Sequence, residues 1–297
     1  PMNEMRPPIR IDETALLRRT AHYARRLAPC LCNSEPARGA TCDWYHGFWP
    51  TLRLLGLSTS TRHALLFQAA FGRTARDGGL KRLLIAGGAD SGLLEQFAQA
   101  CRNIGCNPTF GFVDRCATPV VLNRWAARRL GVRVEARQAH LLDYRKTEPF
   151  DAICCHNLLA FIDPAERAPL FKHWHSQLRP GGRLLLVSTI RDMSKLDPAE
   201  FHRDRSERLV ARARARYETA TIDVPRDEVL ASAERFGLSL RNRHIATDQE
   251  FRDLIDPTDW AIPTLDFGPI GVKEGEMTAE SGTTNSRRYA WLEAIRR

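Results

Sequence analysis

Lysine is scarce in this chain. Only Lys81, Lys146, Lys172, Lys195 and Lys273 are lysines among 44 basic residues. An arginine bias spread along a whole chain reads as genome composition rather than as a phosphate-binding tract. The net charge of +9 therefore does not by itself call for a nucleic-acid partner. Long apolar runs are also missing. None approaches the roughly 18 residues a membrane helix needs, which excludes a helical membrane span. Pro1 to Met5 lack the charged-then-apolar order of a secretion signal, so a cytoplasmic location with reduced thiols is the expectation. Internal repeats and low-complexity tracts are absent too. Among the eight cysteines there is no C-x₂-C pair. Cys30, Cys32, Cys42 and His46 are residue types that suit zinc, but their spacing is not the paired one. No metal is expected, and a disulfide within the Cys30–Cys42 loop stays open.

What is present is an ordinary globular composition, with 43% hydrophobic and 27% charged residues over 297 positions. A chain of this size buries a core without staples. Residues 12–28 have helical spacing with Asp12 as a candidate cap, and 51–72 read as helical with Ser60 or Thr61 as an internal cap. Between them lies the densest aromatic cluster, Trp44, Tyr45, Phe48 and Trp49. From Lys81 the pattern alternates. Strands are predicted at 82–86, 109–113, 132–138, 150–156 and 183–189, with helices at 93–105, 119–130 and 164–178. Such alternation implies right-handed βαβ units and a doubly wound, mostly parallel α/β sheet. Helices at 199–220 and 225–236 follow, then a sixth strand at 238–246 and a seventh at 286–295. Residues 1–79 are expected to form an N-terminal helical lid. Residues 80–297 would form the Rossmann-like domain, with an insertion at about 248–285.

Three motifs carry chemistry. Leu83–Gly92 places Gly87, Gly88, Asp90 and Gly92 between a strand and a helix, where backbone can approach a ligand and the helix N-terminus offers N–H groups. Asp114, at the end of the second strand, suits both hydroxyls of a ribose. These two features fit NAD and S-adenosylmethionine equally. The third is the pair of blocks Phe150-Asp151-Ala152-Ile153-Cys154-Cys155-His156-Asn157 and Leu178-Arg179-Pro180-Gly181-Gly182-Arg183.

With these blocks, residues 81–190 resemble the class I S-adenosylmethionine-dependent methyltransferases. The resemblance implies a seven-stranded sheet and S-adenosylmethionine as cofactor. Gly87, Gly88, Asp90 and Gly92 match the loop under the methionine part, and Asp114 matches the ribose-holding acid. Arg115, His140 and Leu141 match positions beside the adenine, and Asn157 falls after strand four. His140 stands where the family often has Asp, and the glycine loop is one residue longer than Gly-x-Gly-x-Gly. His156 is the leading base candidate, with Tyr45 and His46 next. Trp44, Phe48 and Trp49 would wall an acceptor pocket.

The implied activity is methyl transfer to a small molecule, in secondary metabolism, by a monomer or homodimer. One alternative is a cyclase that forms an azetidine-2-carboxylate-type amino acid and releases methylthioadenosine. An RNA methyltransferase and a noncatalytic binding module are the others. No Asn-Pro-Pro-Tyr sequence follows strand four, which argues against a DNA base as target.

Overall fold

The computed structural model describes residues 13–32, 41–58, 63–194, 196–269 and 288–297. Asp12, Ser60 and Thr61, read above as caps, lie outside them. The N-terminal helices are α1 (Glu13–Leu31), α2 (Asp43–His46), α3 (Trp49–Leu54) and α4 (Ala64–Arg76). The helix expected over 51–72 is thus broken. Its first part ends at Leu55, and Gly56 turns with φ +66, a conformation open to glycine.

The alternating segment forms β1 (Arg82–Ala86), α5 (Gly92–Asn103), β2 (Thr109–Asp114), α6 (Ala117–Leu130), β3 (Val134–Gln138), β4 (Phe150–His156), α7 (Pro164–Gln177) and β5 (Leu178–Ile190). Then come α8 (Pro198–Tyr217), α9 (Arg226–Ser239), α10 (Asp248–Arg252), β6 (Trp260–Gly268) and β7 (Arg288–Arg296). The seven strands make one sheet in the order β3-β2-β1-β4-β5-β7-β6. Every pair from β3 to β5 is parallel, while β7 runs antiparallel to both neighbours. The central strands are apolar on both faces, as strands covered by helices on each side must be. Leu83, Ile85, Cys154 and Val187 face α4 and α5, and Leu84, Ile153, Leu186 and Trp174 fill the opposite layer.

The two blocks that carried the resemblance lock onto each other. Asp151 accepts hydrogen bonds from the Lys81 and Arg82 amides, both at 2.8 Å, and from Arg179 Nε at 2.6 Å. Arg179–Gly182 is looped out of the ladder, so that Phe150 faces Leu178 but Ala152 faces Arg183. Gly181 has φ +73, and a Cβ on Gly182 would sit 2.9 Å from the Arg179 carbonyl. The turn demands glycines, and Asp151 holds it against the start of β1.

The expected strand at 238–246 is not formed. Only Ile245 bridges to Ile190, on the edge of β5 that β4 already fills through Val187, while β7 holds the other edge through Ile190. The sixth strand instead comes from residues expected to be an insertion. Pro263 lies in β6 where the register shifts between Ala261 and Thr264, a defect that an edge strand tolerates.

Candidate functional site

Parallel strands present their carboxyl ends together, and ligands of open α/β sheets bind at that edge. Here β1 delivers the glycine loop and β2 delivers Asp114. Gly87 has φ +71, and its amide donates to the Val113 carbonyl at 2.8 Å. A Cβ there would meet Leu158 at 2.7 Å, and one on Gly88 would meet Phe112 at 3.1 Å. The loop therefore folds tightly onto the sheet only without side chains. Asp114 accepts from the Gly88 amide at 3.1 Å and the Cys116 amide at 2.8 Å, one bond to each carboxylate oxygen. Burial lifts its pKa above the ordinary value, while the His46 charge and the two amides pull it down. A carboxylate has about four lone-pair sites. Two acceptor sites remain, which is what the hydroxyls of a ribose require.

Asp90 is not open to a ligand's polar atoms as expected. It is buried, accepting from the Gly92 amide at 2.8 Å and from Arg53 at 2.8 Å. Arg53 also reaches Glu95 at 2.5 Å. Its guanidinium covers the start of α5, where a Cβ on Gly92 would meet it at 2.8 Å. Arg53 escaped the sequence reading because nothing in its local context marks it; the contact spans 37 residues. His46 is buried beside the same loop, with Nδ1 2.8 Å from the Ala89 carbonyl. Burial pulls its pKa down, but Cys116, Cys42 and the Asp114 charge carry it well above the ordinary value.

Tyr45 stacks on Phe236 of α9 at 5.5 Å and meets Trp49 and Phe161 edge-on or tilted at 5.4 and 5.5 Å. Its pKa is raised by burial and then by the charges of Asp114 and Asp90. Phe48 lines a cavity together with Trp44, Thr51 and Val229. It is buried with Leu52, Ala213 and Phe236 in the core between α3, α8 and α9. Trp44 packs on Phe236 as well, and its indole donates to the Thr41 carbonyl. Of the three expected wall residues, Trp44 and Trp49 are both in ring contact with Tyr45, at 5.7 and 5.4 Å.

His156 stands at the carboxyl end of β4, where it pairs with a second histidine. Its Nε2 lies 2.9 Å from Nδ1 of the buried His63, which precedes α4. Burial, then the neighbouring His63, push its pKa down to about 3. An imidazole of that kind holds a proton too weakly to serve near neutrality. Asn157 adopts φ 55, in the left-handed region that non-glycine residues rarely enter, and its Oδ1 accepts from Thr189 N and Oγ1 at 2.9 and 3.0 Å. It ties the end of β4 to β5. Leu141 is buried at the floor of the β4 side, His140 lies 3.9 Å from Glu166, and Arg115 is exposed.

No family profile matches the chain, and no curated protein matches its sequence. Solved structures do resemble it. Magnesium protoporphyrin IX methyltransferase from Synechocystis PCC 6803 with bound SAH is 13% identical over 86% of this chain and 97% of its own, with a TM-score of 0.49. The N-methyltransferase NodS from Bradyrhizobium japonicum WM9 in complex with S-adenosyl-L-homocysteine is 14% identical over 85% and 98%, at 0.46. A geranyl diphosphate methyltransferase with GPP and sinefungin is 16% identical over 78% and 77%, at 0.49. At these values the strand order, the single antiparallel strand and the glycine loop beside Asp114 carry the assignment. The chain has the fold of the class I S-adenosylmethionine-dependent methyltransferases.

Proposed function

We propose that this chain is an S-adenosylmethionine-dependent methyltransferase acting on a small-molecule acceptor. The observation that carries the reading is Asp114, a buried carboxylate tied to the glycine-loop amide of Gly88 at the carboxyl edge of the parallel strands, with acceptor sites to spare. Gly87 and Gly88 would pass beneath the methionine part, Asp114 would hold the ribose, and Leu141 would lie against the base. When bound, the cofactor supplies an electrophilic methyl on a sulfonium.

The protein's share is then alignment and exclusion of water. Tyr45, Trp49 and Phe161 supply aromatic faces near the cofactor's place, and such faces attract a sulfonium or an ammonium. Neither His156 nor Tyr45 is poised to take a proton at neutral pH: one is too weak a base, and the other keeps its own proton. This favours an acceptor that brings its own lone pair, such as a neutral amine, a thiolate or a carboxylate. A role in secondary metabolism belongs to the same proposal and follows from the small acceptor.

Calorimetric titration with S-adenosylmethionine and its demethylated product tests the cofactor. Binding of both is expected, weakened by roughly 1–3 kcal/mol in Asp114→Ala through the lost hydrogen bonds. If neither compound binds, the reading fails. Mass spectrometry of the reaction tests the chemistry. S-adenosylhomocysteine that forms only with an added metabolite extract supports methyl transfer. Methylthioadenosine formed without any acceptor would instead mean cyclisation. Product that disappears when the extract is treated with ribonuclease would mean an RNA acceptor.

A further inference from the structure

Three cysteine side chains converge where α1, α2 and the turn after β2 meet, with His46 one helical turn from Cys42. Cys32 follows the last residue of α1, Cys42 and His46 bracket α2, and Cys116 precedes α6. Cys116 Sγ lies 3.4 Å from Cys32 Sγ and 3.7 Å from Cys42 Sγ, and all three sulfurs fall within 4.8 Å of one another. A zinc ion about 2.3 Å from each sulfur sets tetrahedral S···S edges of about 3.8 Å, so the observed spacing is that of a thiolate set around one ion. Cys32 and Cys116 are each nearly fully buried, at 1% and 2% exposure, so these thiols are packed against each other rather than against solvent.

His46 completes the set. Cys42 and His46 are four residues apart, and the His46 amide bonds the Cys42 carbonyl, so one helical turn puts both side chains on one face. The ring has its Nδ1 on the Ala89 carbonyl at 2.8 Å, which leaves Nε2 out of that bond, and Cys116 and then Cys42 act on its charge. A ring nitrogen fixed on a backbone carbonyl, with the other outside that bond, is the arrangement of a histidine that ligates metal. Thr118 Oγ1 lies 3.1 Å from Cys32 Sγ, where a hydroxyl supports a thiolate.

We propose that Cys32, Cys42, Cys116 and His46 bind one zinc ion in a closed tetrahedral site that clamps the N-terminal helices to the carboxyl edge of the sheet. The three sulfurs and one nitrogen fill all four positions, so the site is structural rather than catalytic. Spacing argued against a metal because no C-x₂-C pair is present, and the third sulfur lies 74 residues beyond Cys42. Cys30, which seemed the natural third ligand, is exposed and not part of the cluster. The clamp reaches the cofactor's place through two bonds: the Cys116 amide to Asp114, and the His46 ring to the glycine loop. It stands on its own geometry and does not depend on the methyltransferase reading.

Metal analysis of the full chain, purified under reducing conditions and reconstituted with zinc, is expected to give one equivalent. Cobalt in its place should show thiolate-to-metal charge transfer and the intense visible bands of tetrahedral coordination. Cys30→Ser should retain the full equivalent. Cys116→Ser should lose most of it, and His46→Cys should keep the ion while moving the cobalt bands toward a four-sulfur pattern. The last variant and the wild-type cobalt spectrum decide the matter even where Cys116→Ser does not fold. A folded wild-type chain that takes up neither zinc nor cobalt after reconstitution overturns the proposal. So does an undiminished metal content in a folded Cys32→Ser/Cys116→Ser chain, or a Cys32–Cys116 disulfide that persists under reductant.

Discussion

The N-terminal helices are fastened to the sheet in two places, and the two fastenings differ in kind. Beside the antiparallel strand, Arg73 of α4 and Arg183 of β5 close on Glu293 of β7, and Arg183 also meets Asp77 just after α4. Glu293 is only 1% exposed, and its carboxylate is answered from both sides. At the carboxyl edge the helices run instead to the glycine loop, His46 to the Ala89 carbonyl and Arg53 to Asp90, beside Asp114, which takes one amide on each carboxylate oxygen. A closed ion network can only hold two layers together. A set of acceptors with lone pairs to spare can hold the layers and still bind something.

The comparison is broken most sharply by Glu293→Ala. It leaves Arg183 buried without its partner on β7, and the expected loss is about 3–5 kcal/mol of unfolding free energy in urea titration. A loss under 1 kcal/mol would mean that water or Asp77 replaces Glu293, and that the network is less closed than described.

A pH series on the His63–His156 pair comes next. The unfolded His156 titrates at the ordinary histidine value, while the folded one, buried against His63, titrates at about 3. Between those values the unfolded chain binds more protons, so this stability is present above the ordinary value and is lost as pH falls toward 3. The loss reaches at most about 1.4 kcal/mol per pH unit for one proton. Urea midpoints at pH 7 and pH 5 should therefore differ less in His156→Gln than in the wild type. An unchanged difference would show that His156 takes up a proton in the folded state.

Arg235→Ala should have the smallest effect. It removes the pair with Asp43 that joins α9 to α2, at 2.8 Å but on a side chain more than half exposed. A change within about 0.5 kcal/mol is expected from thermal or urea unfolding. A larger cost would show that surface charge, not the aromatic packing around Phe236, holds α9 against the cap.

Much of the sheet was legible because its signals are local. An apolar run such as Phe150–His156 can only be a strand covered on both faces, and Gly181 and Gly182 can only mark a sharp turn. The sixth strand was misplaced because pairing decides it: Ile245 has strand character, but both edges of β5 are already held, one by β4 and the other by β7. In the candidate site, the glycines and Asp114 were readable from their place after β1 and β2. His156 was readable in position but not in chemistry, since its lowered pKa comes from burial and then from His63, 93 residues away. Phe48 was readable as a pocket-lining residue, but its packing on Phe236 of α9 was not.

The sequence by itself determined the alternation of strands and helices, the glycine loop, and the lone acid after the second strand. Each depends on neighbours within one turn or one strand. Only the tertiary structure decided which cysteines meet, which carboxylates Arg53 covers, and which imidazole can carry a proton. Those properties depend on burial and on partners that the chain brings together across tens of residues, and short-range spacing carries no record of either.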